Sequence, residues 1–263
     1  MLARRSAALM AFILSGMMPL HGQDQPPSAD ASGPIATDRP AVTNSSVVVP
    51  AGSLQAENGF LETSSQGQSV LDGPETLVRF GLAKRTELRL TVPDYFHNLA
   101  TSDGVGSGFG DVAIGVKQQL GPAQGFDVSV ILFLSLPTGG NTVSSGGYDP
   151  GLQVPWSRGL SANWTAAGMF SVYWPTQGCT RNVTGEFTFL LDRQLTKPWD
   201  AFVEYAGDFP EIGGPRHLLH FGTALKITKQ QQIDFHVGVG LSSAAVDHLV
   251  GIGYSFRFQA IRR

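Results

Sequence analysis

Apolar residues alternate with small or polar residues along the last forty or so positions of the chain. Residues 219–227, 233–240 and 249–258 carry apolar side chains at most alternate positions, and the last run ends on the aromatics Tyr254, Phe256 and Phe258. A period of two is typical of β-strands that have one apolar and one polar face. Three such strands in succession predict one wall of an outer-membrane barrel.

The same reading extends over most of the chain and gives twelve candidate strands. They are residues 53–62, 75–83, 85–92, 109–119, 126–136, 148–156, 161–174, 182–192, 199–205, 217–227, 231–240 and 247–258. Most approach the roughly 9–11 residues that a tilted membrane strand needs, and bacterial single-chain barrels have an even number of strands. The predicted fold is all-β, an up-and-down antiparallel transmembrane β-barrel of about twelve strands.

The connections between these strands alternate in length. Short ones fall at Lys84, Gly121-Pro122, Arg158-Gly159, Thr196-Lys197 and Lys229-Gln230, and longer ones include residues 94–108 and 137–147. Because outer-membrane barrels have short periplasmic turns and longer outer loops, both chain ends are expected in the periplasm. A soluble sandwich or lipocalin is the alternative, but it leaves the amino-terminal segment and the aromatic ending unexplained.

The amino terminus has the composition of a signal peptide. Arg4 and Arg5 precede an apolar run from position 7 to 20, which is the expected order of a basic and an apolar region and is short for a membrane-spanning helix. We predict a signal peptide at 1–22, a periplasmic lead-in or a plug at 23–52, the barrel at 53–258 and a tail at 259–263. A membrane anchor helix is the alternative for the first segment.

Composition agrees with a two-faced barrel. Charged residues are 15% and hydrophobic residues 42% of the chain. The mean hydropathy is +0.01, because apolar lipid-facing residues and polar lumen-facing residues cancel in the average. A net charge of −3 and a pI of about 6.0 argue against a nucleic-acid partner. The single cysteine, Cys179, excludes an intramolecular disulfide.

Charged residues identify the face that points inward, because an Arg or Lys facing lipid at mid-depth costs about 2–4 kcal/mol. With two histidines, the predicted lumen-lining set is Arg79, Glu87, Arg89, Asp111, Lys117, Asp127, Glu186, Asp200, Glu204, His220, Lys226, Asp234, His236 and Arg257. These side chains would form either a salt-bridge lattice that fills the barrel or a substrate path. The same parity turns Leu77, Ile131, Phe133, Met169, Leu190 and Phe202 inward, as a greasy patch for a small organic ligand or as a packed interior.

Motifs for catalysis, cofactors or metals are weak. Alternating glycines at 104–110 lack a following Lys-Ser pair, so a phosphate loop is not expected. His217 and His220 fall on opposite faces of a strand, and His220 and His236 share the inner face about 7–8 Å apart on a diagonal, which suits a polar pair. No local Ser, His and carboxylate signature of a lipase is present, so we expect no catalytic residue, cofactor or metal.

Several short motifs resemble one family. They are residues 37–40 (TDRP), 55–60 (QAENGF), 108–111 (GFGD), 115–117 (GVK), 134–139 (LSLPTG) and 253–258 (GYSFRF). Together they resemble the family called putative MetA-pathway of phenol degradation, from about Thr37 to Phe258. The resemblance implies an outer-membrane barrel with a role in handling phenolic or other aromatic compounds, and it supplies no catalytic residues.

We therefore expect a Gram-negative outer-membrane protein that channels small apolar or aromatic molecules passively. Its expected partners are outer-membrane lipids, small organic molecules and the barrel assembly machinery. The alternatives are a structural or adhesive protein with a packed lumen and an outer-membrane hydrolase.

Overall fold

The computed structural model describes residues 32–99 and 107–261 as an all-β protein. Its strands are β1 (Ser53–Ser65), β2 (Gln68–Gly73), β3 (Leu77–Ala83), β4 (Thr86–Thr91), β5 (Tyr95–Asn98), β6 (Gly108–Phe109), β7 (Val112–Gln119), β8 (Asp127–Leu136), β9 (Asp149–Ser161), β10 (Trp164–Tyr173), β11 (Thr176–Gln177), β12 (Thr180–Arg181), β13 (Thr184–Thr196), β14 (Trp199–Pro210), β15 (Arg216–Thr228), β16 (Gln231–Gly240) and β17 (His248–Gln259). No helix in these ranges is long and apolar enough to cross a membrane. The predicted signal peptide at 1–22 lies outside the described residues.

Fifteen of these strands form one antiparallel sheet that closes on itself through β17 and β1. Three pairs, β2 with β3, β4 with β5 and β6 with β7, are the two halves of single barrel strands, so the barrel has twelve strands. The first two breaks coincide with Pro74 and Pro93, and proline cannot donate a hydrogen bond to the sheet. The closed twelve-stranded barrel predicted from the sequence is confirmed, although the outer halves β2 and β5 were not predicted.

The two faces of the barrel differ as the period of two predicts. In β16 the side chains of Ile233 and Phe235 are 41% and 47% exposed, whereas Asp234 and His236 are 3% and 6% exposed. The same alternation of exposed apolar and buried polar residues continues through β17. Because the exposed face is apolar, it is the face that meets lipid.

Five short connections lie at the barrel end where Ser53 pairs with Gln259. One of them differs from its predicted position: β9 continues to Ser161, so the turn falls at Ala162-Asn163 and not at Arg158-Gly159. At the opposite end most connections are longer, but β1 and β2 are joined only by Gln66-Gly67. Both of these residues have positive φ, of 52° and 78°, as the tight turns of β-hairpins require.

Residues 33–50, which we name the lumen segment, run inside the barrel before β1 begins. The segment starts beside the β15–β16 turn, where the Ile35 amide donates to the Lys229 carbonyl at 2.8 Å. It crosses to β14 and β10 and returns to β4, where Val49 donates to Glu87. Side chains from most of the barrel strands therefore contact one continuous stretch of 18 residues, counted from its bounds.

Candidate functional site

Buried glutamates of the barrel wall hold the backbone of the lumen segment. Glu57 Oε2 accepts hydrogen bonds from the amides of Asp38 and Arg39, at 2.8 and 3.0 Å. Glu87 Oε2 accepts from the amide of Val49 at 2.7 Å. These amides have no sheet partner, so the charged acceptors satisfy backbone groups that burial would otherwise leave unpaired.

A third glutamate, Glu204 on β14, holds the middle of the lumen segment. Its Oε2 accepts from the Val42 amide at 2.9 Å, and its Oε1 accepts from the Thr43 amide and hydroxyl at 2.7 and 2.6 Å. The Thr43 hydroxyl also contacts the Thr188 hydroxyl of β13. We call this arrangement the Glu204 clamp.

Two histidines extend the Glu204 clamp along the barrel wall. His220 Nδ1 lies 2.8 Å from Glu204 Oε2, and His220 Nε2 lies 2.9 Å from His236 Nδ1. His236 stands opposite Gly222, and His220 stands opposite Gly238, so the pair is diagonal. Asp234 lies on β16 with His236, and its Oδ1 is 3.4 Å from Nη2 of Arg39 in the lumen segment.

Five charged side chains of the opposite wall and one of the lumen segment form a neutral cluster, which we name the charge cluster. Its members are Asp38, Glu57, Arg79, Glu87, Arg89 and Lys117. Arg79 is fully buried and donates to Glu57 and to both oxygens of Glu87, each at 2.9 Å. Three acids balance three bases, and such mutual pairing is the condition under which burial of charges is tolerated.

The lumen segment separates two spaces inside the barrel. The inner one, on the side of the chain ends, is a cavity of about 360 Å³ with the lumen segment as one wall. Its other walls include Asp192, Asp200, Ala224 and Lys226, and Lys226 forms an ion pair with Asp200. Charged side chains therefore form part of the wall of this inner cavity.

The outer cavity lies on the other side of the lumen segment and consists of two adjoining spaces of about 370 and 290 Å³. Both spaces are lined by Glu186, Asp208 and Arg216. Their apolar and aromatic walls include Val42, Phe133, Tyr173, Trp174, Leu218 and Leu249. Concave, mostly apolar spaces with a few convergent polar groups are typical of small-molecule sites.

Glu186 lies where the two spaces of the outer cavity adjoin. Its Oε1 accepts from the Ser171 hydroxyl at 2.9 Å and from the Tyr173 hydroxyl at 2.7 Å. No basic side chain in the described ranges forms an ion pair with it. Asp208, directly opposite on β14, is paired with Arg216 at 3.1 Å and also lies within hydrogen-bond reach of Glu186, so the two acids share one basic partner.

The other predicted lumen residues lie away from these cavities. Asp111, between β6 and β7, accepts amide hydrogen bonds from Thr138, Gly139 and Ser145 of an outer loop. Asp127 contacts Gln119 at the short-turn end. Arg257 donates to the Gly33 carbonyl at 2.6 Å, where the lumen segment begins.

The inward apolar residues do not form one patch. Ile131 and Met169 are 1% exposed, and Met169 is covered by Asn44 of the lumen segment. Leu190 lines the inner cavity and Phe133 the outer cavity, and the Phe202 ring packs 5.4 Å from that of His220. Half-buried Leu77 sits on β3.

Several residues of the outer cavity escaped the sequence reading. Tyr173 and Trp174 end a strand whose inward parity was assigned, but a strand end alone does not show that its rings enclose a space. Val42 belongs to a stretch without periodicity. Within the described residues, no group of three or more His, Cys, Asp or Glu could hold a metal ion.

Comparison with solved structures places this geometry among outer-membrane barrels. The COG4313 outer membrane channel from Pseudomonas putida F1 is similar over 81% of this chain and 97% of that one, with a TM-score of 0.65 and 12% identity. The NanC porin covers 77% and 98%, with a TM-score of 0.56 and 10% identity. The KdgM porin covers 78% and 99%, with a TM-score of 0.54 and 10% identity. No curated protein matches the chain.

The barrel is therefore an outer-membrane barrel of the Gram-negative type, as its apolar exterior indicates. A family model also matches residues 37–258, which include most of the lumen segment and the whole transmembrane barrel up to Phe258. The chain belongs to the family described as "Putative MetA-pathway of phenol degradation".

Proposed function

We propose that the protein is a narrow passive channel for small apolar or aromatic molecules, and that the lumen segment is its constriction. The observation that carries the proposal is the position of the Glu204 clamp. Val42 lines the outer cavity and the next residue, Thr43, lines the inner cavity. A solute that crosses the barrel must therefore pass the clamp, and the predicted role of residues 23–52 as a plug applies to this stretch.

The apolar substrate class is supported by the walls of the outer cavity and by the phenol-degradation family. A channel for sugars or ions would expose polar groups along its whole path, whereas here aromatic rings come first. The three solved structures compared above are a channel and two porins, and the proposal includes no catalytic step. The proposed partners are small organic molecules, the lipids around the apolar face, and the barrel assembly machinery that inserts the protein.

A structural protein with a packed lumen is the second candidate. The charge cluster favours it, because Asp38 of the lumen segment is paired there with Arg79, Arg89 and Lys117 of the barrel wall. A packed-lumen protein and a constricted channel differ in whether loosening the Glu204 clamp opens a path.

Replacing Glu204 with Gln should increase ion flow through the barrel. An amide nitrogen cannot accept from Val42 or Thr43, so at least one hydrogen bond to a charged acceptor is lost, worth about 1.5–3 kcal/mol. Since about 1.4 kcal/mol is a factor of ten, the open state should become roughly ten- to a hundredfold more populated. Single-channel recording in planar bilayers measures this change as more frequent openings.

Asp200→Asn is the matched control, because it removes the same charge from the inner cavity without a contact to the lumen segment. The control should keep the infrequent openings of the original protein. Equal behaviour of the two variants, with both barrels folded, would favour the packed lumen.

A further inference from the structure

The surroundings of the Glu186 carboxyl in the outer cavity indicate which polar group an aromatic ligand would carry. We propose that this cavity is a binding site for small aromatic molecules that carry a protonated amine, and that Glu186 receives the ammonium group. The inference rests on the proposed function in so far as the cavity is the outer half of the proposed path, but it concerns binding and not passage.

The shape of the site supports a ligand with one ring. Its two spaces, of about 290 and 370 Å³, meet at Glu186 and Asp208. Phe133, Tyr173 and Trp174 wall one space, and Leu218 and Leu249 the other. Aromatic walls receive a ring by offset or edge-to-face packing, so the ligand's apolar part can be buried on either side of the carboxylate.

The charges of the site favour a cation. Arg216 forms an ion pair with Asp208 at 3.1 Å, while Glu186 accepts from the hydroxyls of Ser171 and Tyr173 and its carboxyl also meets that of Asp208. Among the described residues, two carboxyl groups therefore have one basic partner, Arg216, where the two spaces meet. An ammonium group there gains a charge-assisted hydrogen bond and the nearby face of an aromatic ring.

The position of Glu186 is fixed before a ligand arrives. Gln153 donates to the Tyr173 hydroxyl at 3.1 Å, and that hydroxyl donates to Glu186. Both hydroxyls donate to the same oxygen, Oε1, and Glu186 lines both spaces of the outer cavity. A carboxylate held in this way loses little side-chain entropy on binding.

The same arrangement discriminates against aromatic acids. A ligand carboxylate would meet Glu186 and Asp208 on directly opposed positions of β13 and β14, and like charges in such proximity repel. A neutral alcohol can donate one hydrogen bond to Glu186 but brings no charge. The expected order of affinity is amine, then alcohol, then carboxylate.

Isothermal titration of the purified, folded barrel with three phenyl compounds tests this order. Phenethylamine, 2-phenylethanol and phenylacetate share a ring and differ in the polar group. Phenethylamine should bind about tenfold more tightly than 2-phenylethanol, and phenylacetate should bind most weakly. Equal affinities, or a preference for phenylacetate, would overturn the proposal.

Two variants assign the effect to Glu186. Glu186→Gln keeps an acceptor for Ser171 and Tyr173 and should abolish the preference for the amine over the alcohol, whereas Asp200→Asn in the inner cavity should preserve it. Ala206→Phe, which introduces a ring into the outer cavity, should weaken binding of all three compounds. Retention of the preference in Glu186→Gln, or full binding in Ala206→Phe, contradicts the site.

These binding results are independent of transport. Binding of phenethylamine by a barrel that never conducts would support the binding site and contradict the proposed channel. Conduction by a barrel that binds the three compounds with equal affinity would support the channel and contradict the binding site.

Discussion

Replacing Arg79 with Met should destabilise the barrel by about 3–5 kcal/mol, the usual effect of removing one partner from a buried ion pair. Arg79 is fully buried and forms ion pairs with Asp38, Glu57 and Glu87. Without it, these three carboxylates share only the two remaining cations of the charge cluster. The free energy of unfolding, from urea titration in lipid vesicles, measures the effect.

The control variants separate charge from side-chain volume. Arg85→Met makes the same change at an exposed position of the β3–β4 turn and should alter stability by less than about 0.5 kcal/mol. The double variant Arg79→Met with Glu87→Gln restores neutrality and should recover part of the loss. If the double variant is as unstable as the sum of its parts, the charge balance is not what holds the cluster.

Replacing Phe235 with Arg should destabilise the barrel far more than replacing Ala224 with Arg. Phe235 lies in the middle of β16 and faces outward, where an arginine in the lipid costs about 2–4 kcal/mol. Ala224 on β15 lines the inner cavity beside Asp200 and Lys226, so an arginine there has polar space. Heat-modifiable gel migration and the unfolding free energy report both effects.

The pair is informative because the two residues lie on adjacent strands, in consecutive rows of the sheet. Comparable losses of stability, or a larger loss for Ala224→Arg, would mean that the lipid-facing and lumen-facing sides of the barrel are exchanged.

The side to which each residue faces, lipid or lumen, could be predicted because the alternation of apolar and polar residues is visible within each strand by itself. Once Ile233 and Phe235 are assigned to lipid, Asp234 and His236 must face inward, since a strand has only two faces. The same logic set His220 and His236 on a diagonal. The outer halves β2 and β5 were missed because prolines interrupt both strands, and interrupted runs fall below the expected strand length.

A plug was one of two alternatives for residues 23–52, but the path of the lumen segment could not be predicted because many of its contacts are made by backbone amides. Glu57, Glu87 and Glu204 bind backbone amides of the segment, and amides leave no side-chain pattern. The inward charges divide between the two interpretations, a lattice or a path: Arg79 and Lys117 belong to the charge cluster, while Glu186 lines the outer cavity.

Uptake of radiolabelled phenol by intact cells is the most direct test of the proposed channel. Cells that lack the protein are compared with cells that make it, and with cells that make the Glu204→Gln variant, at a phenol concentration that limits growth. We expect slower initial uptake without the protein, recovery when it is restored, and uptake at least as fast with the variant. Identical initial uptake with and without the folded protein in the outer membrane would contradict the proposed channel.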